Sequence, residues 1–136
     1  LTTTTPQAFN AIETLLLAAQ SGNTSIADLL DALLEAEVFI LLDKDPQQDD
    51  GNENVLPLML SNVHGKPVLA AFTAAERSIA MALEFPQFGF ALPVALRKLL
   101  PTIRPGVGLV INPGTVMGLE MPAESVLRMQ QDALLI

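Results

Sequence analysis

The chain has 136 residues, half of them apolar and only 4% aromatic, with no Cys, Trp or Tyr. Seven basic residues against fifteen acidic ones leave a formal charge of −8, the opposite of what a phosphate-neutralising surface needs, so nucleic acid is excluded as an expected partner. The lack of cysteine excludes disulfides, thiol catalysis and Cys-based metal centres.

A chain of this length supports one domain, burying roughly two-thirds of the surface its unfolded form exposes. With so few rings, its core has to be assembled from Leu, Ile, Val, Ala and Met. No charge-free apolar stretch approaches the roughly 20 residues that cross a bilayer. The opening Leu1-Thr2-Thr3-Thr4-Thr5-Pro6 has neither the basic start nor the apolar centre of a signal peptide. Cytoplasmic localisation without membrane insertion is the expectation.

From Pro6 to Gln20, residues Phe9, Ile12, Leu15, Leu16 and Ala19 recur at helical spacing, and Pro6 suits a first helical turn. Ser21-Gly22-Asn23 ends this helix, since Gly accepts the left-handed turn that closes it. Thr24 or Ser25 caps a second helix with Asp28 in its first turn and Ile26, Leu29, Leu30, Leu33 and Leu34 as its stripe. Together they predict a helical hairpin.

Val38 to Leu42 is a short apolar run bounded by charge, the pattern of a buried strand. Asp43 to Asn54 is polar throughout and predicts a loop. Leu56–Leu60 and Pro67–Phe72 flank a turn containing Gly65, so three strands follow one another as an antiparallel meander. Thr73 and Glu76 have the spacing of a capping box, opening a helix that would turn Ile79, Ala80 and Leu83 inward. A strand over 88–92, a short helix over 93–100, an apolar strand over 107–111, a last strand at 119–121 and a helix opened by Pro122 complete the chain. The expected architecture is a single α/β domain of the α+β type. It contains a mixed sheet of about five or six strands, flanked by helices, with an N-terminal helix (1–24) packed on a core domain (25–136).

Two stretches carry a family resemblance. Lys66-Pro67-Val68-Leu69-Ala70-Ala71-Phe72-Thr73-Ala74-Ala75-Glu76 resembles the strand, Phe-Thr and Glu signature of the SseB-like N-terminal domain. Val107 to Gly114, ending in Asn-Pro-Gly and followed by Gly118-Leu119-Glu120-Met121, resembles its second hallmark. The likeness extends over roughly residues 25 to 130. It implies a bacterial, cytosolic α/β domain whose family name comes from an enhanced-serine-sensitivity phenotype and is sometimes linked to type III secretion. It implies no activity and no catalytic residues.

Candidate chemistry is sparse. Backbone amides around Asn112-Pro113-Gly114 could cradle an anion, although the same residues are simply good turn formers. His64, the sole histidine, falls in a predicted hairpin turn, and an enzyme would need it to meet Asp43 or Arg104 in space. Ser61 and Ser78 lack the elbow that presents a nucleophile. The acidic loop fails the calcium-loop register, with Gly51 ninth and Asn54 twelfth from Asp43. No metal or cofactor is expected.

Apolar surface is the better-supported means of recognition. Charged residues make up 16% of the chain, below the roughly 25% of average domains, and Phe85, Phe88 and Phe90 cluster around Pro86 and Gly89. The expectation is a noncatalytic interaction or regulatory module that binds another protein or a copy of itself through this Phe set. The alternatives are a small-molecule or anion-binding domain at Asn112-Pro113-Gly114, serine-related metabolites included, or a secretion-associated accessory protein.

Overall fold

A computed structural model describes residues 8–45, 55–115 and 117–134. Five α-helices and six strands are present among them. The first elements among the described residues are α1 (Ala11–Gln20) and α2 (Ile26–Glu35), the expected hairpin, separated by a turn in which Gly22 takes φ +77°. Ser25 caps α2 by accepting the Asp28 amide. Helix α1 starts later than the apolar spacing predicts. Asn10 sets its beginning, because the Asn10 side chain accepts the Glu13 amide and satisfies a donor that the first turn leaves free; Pro6 lies outside the described residues.

The strands are β1 (Glu37–Leu42), β2 (Met59–Ser61), β3 (Pro67–Ala71), β4 (Phe90–Ala95), β5 (Gly108–Ile111) and β6 (Leu119–Met121). Four of them form a sheet in the order β2-β3-β5-β6, with β3 and β5 parallel and the outer pairs antiparallel. The predicted meander is interrupted: β2 and β3 form a hairpin, but β1 takes β4 as its main partner. The β1–β4 ribbon joins the larger sheet through bridges at Phe39–Phe72 and Leu42–Pro57. Phe39 and Phe72 exchange both backbone hydrogen bonds, at 2.7 and 2.8 Å, so the strands act as one mixed surface.

Between β3 and β5 the chain runs through α3 (Ala75–Glu84), β4, the single turn α4 (Leu96–Leu99) and a 3₁₀ turn (Leu100–Thr102). The crossover that a parallel pair requires is thus supplied. The predicted helix over 93–100 starts only at Leu96, because Pro93 and Val94 are paired in the β1–β4 ladder. Helix α5 (Ala123–Leu134) closes the described chain.

Strand side chains alternate between faces, and the two faces are covered unequally. Val38, Ile40 and Leu42 of β1, Leu69 and Ala71 of β3, and Leu109 and Ile111 of β5 enter the main core. There they pack with buried residues of α1, α2, α4 and α5, such as Leu16, Leu33, Leu96 and Val126. The other face exposes Leu41, Leu58, Ala70 and Phe72 to a smaller cluster with Met81, Ala82, Phe85 and Phe88. Among the described residues, α3 is the helix that covers this second face. Gly108 permits the tight pairing of β5 with β6, since a Cβ there would lie 2.6 Å from the Met121 carbonyl oxygen.

Helix α3 departs from the expectation in two respects. Thr73 does not cap it: the helix begins at Ala75, and no side chain caps it. Nor do Ile79, Ala80 and Leu83 point inward. Ile79 is 57% and Leu83 77% exposed, while Ser78, Met81 and Ala82 face the sheet. The stripe that buries is shifted around the helix because Arg77 is drawn inward to a polar partner.

Candidate functional site

That partner is Glu13, fully buried near the start of α1. It stands three residues after Asn10, the spacing at which a carboxylate reaches back over the helix start. Its Oε1 accepts the Phe9 amide at 2.8 Å. The same oxygen receives Nη2 of Arg77 at 2.9 Å, and Oε2 receives Nε at 3.1 Å, a two-pronged guanidinium clamp. Oε2 also accepts the Thr73 hydroxyl at 2.5 Å. Arg77 in turn lies over the Phe9 ring, 4.2 Å from its centroid.

Thr73 and Asn112 stand just past the C-terminal ends of the parallel strands β3 and β5. The Asn112 Oδ1 accepts the Thr73 amide at 3.0 Å, and its Nδ2 donates to the Thr73 hydroxyl at 2.8 Å and the Met117 carbonyl at 3.3 Å. Asn10 Nδ2 donates to the Thr73 carbonyl at 2.7 Å. One connected network therefore ties α1, β3, α3 and β5 together, and no buried side-chain nitrogen or oxygen among the described residues lacks a partner.

Its electrostatics follow from competing effects. Burial acts to raise the Glu13 pKa, but the hydrogen bonds from Arg77, Thr73 and the Phe9 amide, with the Arg77 charge, outweigh it and hold the carboxyl below the ordinary value. The hydrogen-bonded Glu13 carboxylate likewise holds Arg77 protonated, against the opposing effect of burial.

This location, beyond the C-terminal ends of parallel strands, is where open α/β sheets usually bind ligands. Here the chain's own carboxylate fills it. The Asn112-Pro113-Gly114 turn forms at the rim, with Asn112 at φ +50° and Gly114 at φ +78°. Four amides in and around it are engaged within the chain: Asn112 to the Ala71 carbonyl, Thr115 to the Asn112 carbonyl, Met117 to the Thr115 hydroxyl and Gly118 to the Thr115 carbonyl.

His64 is exposed in the β2–β3 turn, where its amide donates to Asn62 Oδ1. Asp43 accepts the Leu56 amide, and Arg104 is exposed before β5. No hydrogen bond or ion pair links these three. Among the described residues no group of three or more His, Asp and Glu side chains is placed to hold a metal. Of the acidic loop, Asp43 to Asn54, residues 46–54 lie outside the described residues.

Phe85, Phe88 and Phe90 do not share one face. Phe85 and Phe88 are half-buried against Leu41 and Phe72 on the α3 side. Phe90 pairs with Leu42, so alternation directs it to the opposite face, while Ala91 shares the face of Leu41. Between α3 and the ribbon runs a cavity of about 480 Å³ lined by Leu41, Ala75, Glu76, Ser78, Ile79, Ala82, Leu83, Gly89 and Ala91.

The residues that sequence reasoning missed are Glu13, Arg77 and Asn10. The pattern Asn10-Ala11-Ile12-Glu13 is itself a helix-start signal, but apolar spacing that runs back toward Pro6 masks it.

A mixed sheet with a parallel central pair, an N-terminal helical hairpin and an Asn-Pro-Gly turn at the strand ends defines an α+β domain of the class that the two sequence signatures suggest. The chain belongs to the SseB protein N-terminal domain family, which it matches over residues 12–128. The match begins within α1. No curated protein and no solved structure matches the chain. Both signature positions, Thr73 and Asn112, are members of the buried network.

Proposed function

We propose that this domain is a noncatalytic protein-interaction module that docks its partner on the outer face of α3 and the trough between α3 and β4. One observation carries the reading: Ile79 and Leu83, an i, i+4 pair, are the exposed side of the helix that covers the second sheet face. Apolar groups held out in water by a rigid element, beside a cavity lined largely by Ala, Ile and Leu, are the usual marks of a docking surface. The buried polar side chains are compatible with the same reading, because among the described residues each has a hydrogen-bond partner within the chain. No helix among the described residues is long and apolar enough to cross a membrane, and the family resemblance points to a bacterial cytoplasm as the setting.

The test is site-specific photo-crosslinking in cells from position 83, with position 128 on α5, also exposed, as the control. A discrete adduct from position 83 that position 128 does not yield is the expected result. Equal labelling from both positions, or none from position 83, overturns the reading.

A further inference from the structure

The same surface also carries the chemistry of the partner, on the footing of the docking face proposed above. Peptide segments attach to folded domains chiefly by adding a strand to a sheet edge or by laying an apolar helix face into a groove. The edge beside this trough is β4. Phe39 gives both its backbone groups to Phe72, so its ladder partner on β4, Pro93, directs its own toward the free edge. Proline has no amide hydrogen to offer there, and the next outward residue, Ala95, already stands at the start of α4. Ala91 is left as the one residue with a complete outward donor–acceptor pair. Such an edge disfavours extension of the ladder by an added strand.

Groove docking by a helix remains, and the charges around the groove select which helix. Glu76 and Glu84 bracket Ile79 and Leu83 on the exposed side of α3. Among the described residues neither carboxylate forms a salt bridge, whereas Glu13 is paired with Arg77 and Glu35 with Arg97. At about 1.5 Å rise per residue the two carboxylates sit roughly 12 Å apart along the helix. A second copy presenting this face would set carboxylate against carboxylate, which disfavours a symmetric dimer here.

We infer that the α3–β4 trough receives a cationic amphipathic helix, its apolar stripe against Ile79, Leu83 and Ala91 and its Lys or Arg residues, about two turns apart, on Glu76 and Glu84. The surface chemistry is complementary at both levels, apolar at the centre and charged at the rim.

A fluorescein-labelled Leu/Lys amphipathic helix, titrated against the full chain by anisotropy, tests this, with a Leu/Glu helix of the same pattern as its counterpart. The Leu/Lys probe binds and the Leu/Glu probe does not. Leu83→Asp and the pair Glu76→Lys/Glu84→Lys each weaken binding by about tenfold or more, as loss of a central anchor or of the steering charges does. The pair Asp31→Lys/Glu124→Lys, on α2 and α5, changes net charge equally and leaves affinity within about twofold.

Equal weakening by the two charge-reversed pairs reduces the interaction to nonspecific attraction and overturns the inference. So does indifference to Leu83→Asp, failure of the Leu/Lys probe to bind, or a dimer in light scattering that Leu83→Asp dissolves. A positive crosslink from position 83 alongside a negative titration discards the cationic helix and keeps the docking face.

Discussion

Removing the charge of Glu13 leaves a guanidinium facing a neutral amide, with the Thr73 hydroxyl beside it losing its carboxylate acceptor. Breaking a buried pair from one side costs about 3–5 kcal/mol. Arg77 retains some contact with solvent, so Glu13→Gln is expected near the lower end, about 3 kcal/mol, in urea unfolding. The pH dependence has a definite sign. The folded pKa of Glu13 lies below the ordinary 4.5, so the unfolded chain binds this proton more readily than the folded one. The stabilisation is complete above the ordinary value and is lost as pH falls through the folded one. Wild-type unfolding curves therefore weaken more steeply on acidification than those of Glu13→Gln, and parallel profiles would deny Glu13 this role. At Thr73, Ser keeps the hydroxyl and Val keeps the shape. Thr73→Val is expected to lose about 1–3 kcal/mol by leaving the Asn112 amide and Glu13 without their shared partner, and Thr73→Ser clearly less. These roles were half legible in the sequence. Phe-Thr and Asn-Pro-Gly stand out as motifs, but Thr73 reads as a helix cap because its true partner is sixty residues away, and spacing reports only local bonds.

At the scale of elements, most of the chain is legible. Apolar spacing marks α1, α2 and α5, and bounded apolar runs mark β1, β3 and β5, because periodic burial is what these elements share. Two elements resist. Pro93 inside β4 reads as a helix start, yet an edge strand accommodates proline where its nitrogen faces outward. Helix α3 carries its apolar residues on two sides, Met81 and Ala82 toward the sheet and Ile79 and Leu83 toward solvent, and periodicity alone does not say which side is the inner one. The polar clamp on Arg77 decides it. Where β5 meets β6, the prediction is steric: Gly108→Ala places a methyl against the Met121 carbonyl oxygen and costs about 1–3 kcal/mol as the strands shift apart. Unchanged thermal stability of that variant would show that the pairing is looser than the backbone geometry implies.

For the molecule as a whole, the two sheet faces divide the work. The face under α1, α2, α4 and α5 holds the main core, and the face under α3 is held by a smaller apolar cluster and a buried ion pair. On the proposed reading, folding and recognition fall to opposite sides of one helix: Arg77, Ser78, Met81 and Ala82 secure α3 to the domain, while Ile79 and Leu83 stay exposed. Composition points to apolar residues in excess of an average domain but says nothing of which ones a helix leaves exposed. The Phe set stands out because it clusters around Pro86 and Gly89, while the exposed aliphatic pair looks like any other core stripe until the helix is placed on the sheet.

The separation is tested most directly by equilibrium urea unfolding of the double variant Ile79→Ser/Leu83→Ser. Docking residues add nothing to the isolated fold, so stability stays within about 0.5 kcal/mol of wild type, as for surface substitutions generally. A loss of more than about 2 kcal/mol, the size expected for buried aliphatic side chains, would place both residues in the core and remove the face proposed for the partner.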